Sequence, residues 1–233
     1  MPHSVLPRAL PSISSIAPRP PRSRRGVIAA VALLACATLV AGCAGSSSSS
    51  GADASFPGGV VLPNAVALPK LTLTDDQGQP LTLSSLQPHH VVLLYFGYTH
   101  CPDVCPTTMA DLAVALRQAE PTVQQDVRVV FVSSDPARDT PSVLHDWLGN
   151  FVPSPAPRFI GLTGNITTID TAAKSVGVPL EPPVKEPNGQ YEVDHGAQVL
   201  AFVNGSADDL WLAGTSPSDY GKGLTQLVNG GLA

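Results

Sequence analysis

The chain has 233 residues, with 13 Lys and Arg against 18 Asp and Glu and 43% hydrophobic residues. That length suits one domain plus extensions, and the apolar share is enough for a sizeable core. The acid excess excludes nucleic acid and anionic membrane surfaces as charge-driven partners. From the N-terminus, Met1–Arg25 holds five arginines (Arg8, Arg19, Arg22, Arg24, Arg25) and no acid, and an apolar run follows from Val27 to Val40. The run falls short of the roughly 20 residues a membrane span needs. A basic segment followed by a short apolar one reads as an export signal.

Leu39-Val40-Ala41-Gly42-Cys43 resembles a bacterial lipobox, in which the cysteine is lipidated and becomes the mature N-terminus. Removing residues 1–42 leaves eight basic residues against 18 acidic ones, a net charge of −10. Membrane attachment is then expected from lipid rather than charge, at the extracytoplasmic face of the bacterial cytoplasmic membrane. Of the four cysteines, Cys36 leaves with the signal and Cys43 carries lipid, so Cys101 and Cys105 are the thiols of the exported domain. Ala44–Gly59, with five consecutive serines, lacks the apolar residues to fold and reads as a flexible tether. The expected organisation is a signal peptide at 1–42, a lipid-anchored tether at 43–61 and a folded domain at 62–233.

Within that domain, Leu71–Thr74 and Leu81–Leu83 alternate around Asp75–Pro80 and predict a hairpin. Val91–Phe96 is continuously apolar, as in a strand covered on both faces. Thr107–Glu120 reads as a helix with Met109, Leu112, Ala113 and Leu116 on one stripe. Val127–Ser133 is the next strand, parallel to the first through a right-handed crossover. Thr140–Leu148 reads as a helix, Phe159–Leu162 as a short strand and Ile166–Val176 as a further helix. A long loop, Gly177–Gly196, leads to an antiparallel pair at Gln198–Val203 and Leu210–Ala213, and Pro217–Val228 closes the chain as a helix. The pattern predicts an α/β fold with a mixed sheet flanked by helices and an N-terminal hairpin.

Cys101 and Cys105 sit at a strand-to-helix turn, separated by three residues. If the helix begins there, both face one side with Cβ atoms roughly 5–6 Å apart, suited to a soft metal or to a disulfide. The helix N-terminus favours thiolate. An isolated C-x-x-x-C is more often structural, and the surrounding residues decide otherwise. Phe96-Gly97-Tyr98-Thr99-His100-Cys101-Pro102-Asp103-Val104-Cys105-Pro106 resembles the signature F-G-Y-T-x-C-P-D-V-C-P of the Sco/SenC family of thioredoxin-like copper-binding proteins. Asp135-Pro136-Ala137-Arg138-Asp139-Thr140 and Val193-Asp194-His195 resemble that family's D-P-x-R-D-T and V-D-H motifs, in the same order. The likeness spans about Leu68 to Val228. Gly196 departs from it, where the family more often has Ser or Thr.

The resemblance implies a thioredoxin-like fold of the peroxiredoxin branch and a copper site, Cu(I) or in its other state Cu(II), built from Cys101, Cys105 and His195. It implies copper delivery to the dinuclear centre in subunit II of cytochrome c oxidase. The alternative is a thiol–disulfide reductase that keeps the cysteines of that centre reduced. Either job needs a thiol reductant protein, because a close pair in an oxidising compartment tends to form a Cys101–Cys105 disulfide. Among the six histidines, His3 leaves with the signal, and His89 and His90 precede a strand at the end opposite the thiols. His145 sits in a helix, and His100 adjoins Cys101 but points away from it. A loop histidine such as His195 would by itself be read as solvated; the V-D-H likeness makes it the third ligand. Asp194 is either an orienting partner of that imidazole or a solvated side chain. Asp135, Arg138 and Asp139 lie at the carboxyl end of a strand, on the thiol edge, and are expected to give support and partner contact, with Asp139 capping the next helix. A structural zinc wants four protein ligands and the count stops at three. Peroxidase chemistry lacks its separate resolving cysteine.

Overall fold

The computed structural model describes residues 56–86, 91–151, 159–181, 184–185, 191–192 and 195–230. Cys43, His89, His90 and Asp194 lie outside them, as does the export signal. In chain order the elements are β1 (Gly59–Ala67), β2 (Thr72–Asp75), β3 (Pro80–Thr82), a 3-10 turn (Leu83–Leu86), β4 (Val91–Gly97), α1 (Val104–Gln118), α2 (Pro121–Asp126), β5 (Val127–Ser133) and α3 (Pro141–Gly149). They continue with β6 (Phe159–Thr163), α4 (Ile166–Ser175), β7 (Val184–Lys185), β8 (Tyr191–Glu192), β9 (Val199–Val203), β10 (Ser206–Trp211) and α5 (Pro217–Val228).

Among the described residues, eight strands form one sheet in the order β1-β10-β9-β4-β5-β6-β2-β3. β4 runs parallel to β5, and β5 to β6, while β9 pairs antiparallel with β4 and β2 antiparallel with β6. The continuous apolar run of β4 has the expected cause. Val91, Leu93 and Tyr95 pack on one face with α1, α3 and α5, through residues such as Met109, Leu144 and Leu224. Val92, Leu94 and Phe96 pack on the other with Ile169 and Ala173 of α4 and with Leu83 of the 3-10 turn. A strand whose two faces are both covered has no polar side to show.

Helix starts follow side-chain chemistry. Thr140 accepts from Val143 N and Asn165 from Thr168 N, and Ser216 accepts from Asp219 N, while Pro141 and Pro217 sit in first turns where their missing N–H costs nothing. Thr140, not Asp139, therefore caps α3, and Asp139 is released for another task.

The fold also begins earlier than the composition suggests. Phe56 is buried with its ring centroid 4.6 Å from that of Trp211, and Trp211 Nε1 donates to Pro57 O at 2.9 Å. β1 then pairs antiparallel with β10 from Gly59 onward. The expected tether thus yields residues 56–61 to the domain. One aromatic among Gly, Ala and Ser gives no periodicity, so only its docking site on Trp211 reveals it. The second antiparallel strand is Ser206–Trp211 rather than Leu210–Ala213, because the chain reverses tightly at Asn204 and Gly205, both with positive φ (51° and 84°). Such values suit a two-residue turn that matches strand twist. The loop Gly177–Gly196 holds the small β7–β8 pair and a bridge between Leu180 and His195.

Candidate metal centre

β4 delivers the chain to the carboxyl edge of the sheet, and α1 starts there. The helix begins at Val104, so Cys101 lies before it rather than on its face. Asp103 occupies the cap position but makes no side-chain cap bond. The Cys101 sulfur does that work instead: Cys105 N donates to Cys101 Sγ at 3.4 Å. A sulfur held over a free amide at a helix N-terminus is in the right place to carry negative charge.

Cys105 is fully buried against β4. Tyr95 Oη donates to its sulfur at 3.5 Å, and His195 Nε2 lies 3.4 Å from the same atom. Among the described residues, Cys101, Cys105 and His195 form the one cluster of three or more His, Cys, Asp or Glu side chains placed to hold a metal, each offering a ligand atom within 4.8 Å of the others. Both cysteines are free thiols.

The two sulfurs divide one proton. A hydrogen bond from Cys105 brings Cys101 down to about 4, against the opposing effect of burial, with His195 and the Asp103 and Cys105 amides adding to the fall. Cys105 moves up, first because its hydrogen sits in the bond to Cys101 and second because it is buried. Burial, and then the neighbouring sulfurs, push the Tyr95 hydroxyl up too, so it stays a donor.

Two rings frame His195 edge-on: Tyr95 at a centroid distance of 5.9 Å and Tyr98 at 5.8 Å. Its Nδ1 lies 3.3 Å from Gly196 O, which turns Nε2 toward the sulfurs. Gly97 makes the close approach possible. A Cβ there would lie 2.6 Å from Tyr95 Cε1 and 2.9 Å from Cys105 Sγ, distances that real side chains do not show.

The D-P-A-R-D segment supports this wall rather than entering the donor set. Arg138 pairs with Asp135 and places its guanidinium 5.8 Å from the Tyr98 ring centroid. Asp139 is fully buried and gathers three donors: Thr99 Oγ1 at 2.6 Å, Ser133 Oγ at 2.7 Å and Thr99 N at 3.1 Å. It ties the turn before the thiols to the end of β5. The other described histidines stand apart. His100 is exposed, 3.1 Å from Thr99 Oγ1, and His145 Nδ1 lies 3.1 Å from Asp76 Oδ2. Tyr95, Gly97 and Thr99 carry roles that sequence reasoning did not assign, although they sit inside or beside the quoted motif. The alternation of β4 was the available signal, since it points Tyr95 at the same layer as α1.

The SCO1/SenC family model matches residues 63–228. The chain is 35% identical over 144 residues to a candidate copper-binding protein of Stutzerimonas stutzeri, covering 62% of this chain and 67% of that one. Mitochondrial relatives from yeast and Arabidopsis are matched over only 40% and 35% of their own length. The solution structure of apo Sco1 from Thermus thermophilus superposes with a TM-score of 0.63 at 34% identity, covering 78% of this chain and all (100%) of that one. The copper-bound crystal structure of Arabidopsis thaliana ScoI superposes with a TM-score of 0.60 at 28% identity, covering 69% and 96%. With the thioredoxin-like sheet, three motifs in order and a match across most of its length, the chain belongs to the SCO1/SenC family.

Proposed function

We propose that this protein is an exported, lipid-anchored copper chaperone that binds Cu(I) through Cys101, Cys105 and His195. Its recipient in this reading is the dinuclear copper centre of cytochrome c oxidase subunit II. The observation that carries the proposal is the convergence of two sulfurs and one imidazole nitrogen within 4.8 Å from segments far apart in the chain. Cu(I) is soft and accepts two thiolates with imidazole as third donor. The relatives named for copper, one with copper bound, support the same cargo. Cys101 is ready as thiolate; Cys105 gives up its proton on loading, so uptake releases about one proton per ion at that sulfur.

The unequal thiols favour a second reading on the same residues. Cys101 is a ready nucleophile and Cys105 a protonated partner, the division a dithiol reductant uses. There, two thiols become one disulfide while the recipient's disulfide becomes two thiols. His195→Ala separates the readings. Delivery requires the imidazole as donor, so Cu(I) affinity is expected to fall at least tenfold, about 1.4 kcal/mol. Dithiol exchange should keep most of its rate in the same variant. The deciding measurement is oxidase assembly in cells carrying His195→Ala at limiting copper. Failure rescued by added copper supports delivery; normal assembly at low copper leaves the reductase reading.

A further inference from the structure

The edge of the sheet away from the thiols holds an acid that the copper chemistry does not use. β10 contains a bulge: Ala207 pairs with Phe202 and Asp209 with Ala201, which leaves Asp208 as the extra residue. The bulge reverses the alternation. Ala207 packs in the layer of α4, whereas Asp209 turns to the layer of Ala201, Trp211 and α5. Asp209 is 0% exposed, and neither Oδ1 nor Oδ2 accepts a hydrogen bond from any donor among the described residues. Buried carboxylates are almost always paired or hydrogen-bonded.

Asp209 lines a cavity of about 200 Å³ together with Asn204, Ser206, Asp208, Leu227 in the last turn of α5 and Gly230 just beyond it. None of the described residues lining it is basic. The C-terminus of α5, which carries the negative end of the helix dipole, borders the cavity. Two carboxylates and two neutral oxygen-bearing side chains therefore line one cavity with no basic side chain among the described residues around it.

We propose that this cavity is a second metal site, for a hard divalent cation of the Ca²⁺ type. Every available donor is oxygen, which selects against the soft cargo of the thiol site. The mixture of carboxylate, amide and hydroxyl oxygens suits the flexible coordination of Ca²⁺ better than the strict octahedron of Mg²⁺. The space exceeds one ion, so the ion keeps water in its shell. Burial, and second the charge of Asp208, push Asp209 up to about 6, which leaves it largely ionised at neutral pH and makes cation and proton compete for it. The ion would clamp the β9–β10 hairpin to the end of α5.

Trp211 lies two residues along the same strand and on the same face, a built-in sensitiser for Tb³⁺, the luminescent substitute for Ca²⁺. The experiment excites tryptophan in the reduced, copper-free full chain, titrates Tb³⁺, then competes with Ca²⁺. Sensitised emission displaced by Ca²⁺ is expected, and Asp209→Asn should abolish it without changing the far-ultraviolet circular dichroism. Asp208→Asn should weaken binding by about tenfold. No sensitised emission in the wild-type chain, or emission that survives in folded Asp209→Asn, overturns the site. Should Asp209→Asn fail to fold, Asp209→Leu removes the buried charge and suits the apolar neighbours Ala201 and Leu227. A Ca²⁺-dependent rise in melting temperature that is the same in that variant and the wild type overturns the proposal too.

Discussion

At the scale of single residues, the site works because two equal thiols are made unequal. Cys101 collects amide and imidazole donors, while Cys105 is sealed against β4 and holds the shared proton. Alkylation follows the thiolate fraction, so the rate at Cys101 in the reduced protein should stay flat from neutral pH downward and fall only as pH drops through about 4. The direction follows from the lowered value: deprotonation is complete above it and lost below. Iodoacetamide labelling across pH, read by peptide mass spectrometry, checks this. A midpoint near the ordinary thiol value of 9.0 would show that the capping arrangement does not hold in solution. Gly97 is the second residue on which the site turns. Gly97→Ala drives a methyl into Cys105 Sγ and the Tyr95 ring, with an overpacking cost of about 1–3 kcal/mol. Cu(I) affinity, measured by competition with a chromophoric chelator, should fall more than tenfold, since the sulfur that moves is a donor. Unchanged affinity would place the cargo elsewhere.

At the scale of elements, three separated segments form one wall. The thiol turn, the turn after β5 and the loop before β9 meet at the carboxyl edge of the parallel strands, where α/β sheets place their ligands. Asp139 is the joint between the first two, with three donors on one buried carboxylate. Asp139→Ala leaves Thr99 and Ser133 without their acceptor and should cost about 3 kcal/mol, counting roughly 1 kcal/mol for each bond. Urea unfolding of reduced protein measures it. Thr99→Val, which removes one of the three, should cost about a third as much by the same reckoning. If Asp139→Ala unfolds at the wild-type midpoint, the joint is not holding the turn. Arg138, stacked near Tyr98 and paired with Asp135, extends the wall toward His195 without touching the donors.

At the scale of the whole molecule, the proposed anchor and the fold share a boundary. With Phe56 docked on Trp211, residues 44–55 lie between the proposed lipid attachment at Cys43 and the first residue of the fold. Cys43→Ser should move the protein from the membrane fraction to the soluble one while the domain stays folded. Mass spectrometry of the mature N-terminus provides the direct check, and an N-terminus other than lipid-modified Cys43 would sink the anchoring proposal.

Much of the architecture was legible in the sequence because local pattern and tertiary demand agree. The continuous run of β4, the stripe of α1, and the bounds of β5 and α5 follow from burial on two faces or one. The Asn204-Gly205 turn was legible as well, being a strong hairpin signal, and reading it would have placed β10 correctly. The thiol pair was readable because its motif is contiguous. Other features had no physical signature of their own. His195 lies 90 residues from Cys105 and was readable only through the V-D-H likeness, since no property of a loop histidine announces that a sheet will carry it to a sulfur. Phe56 looks like part of a linker until Trp211 receives it, and Asp209 looks like a surface acid until a bulge in β10 turns it inward. Sequence alone determined the core strands β4, β5 and β6, the helices α1, α3, α4 and α5, and which residues carry soft donors. Tertiary structure decided which donors meet, which thiol holds the proton and where the fold begins. Those outcomes depend on contacts between distant segments, and distance along a chain carries no record of distance in space.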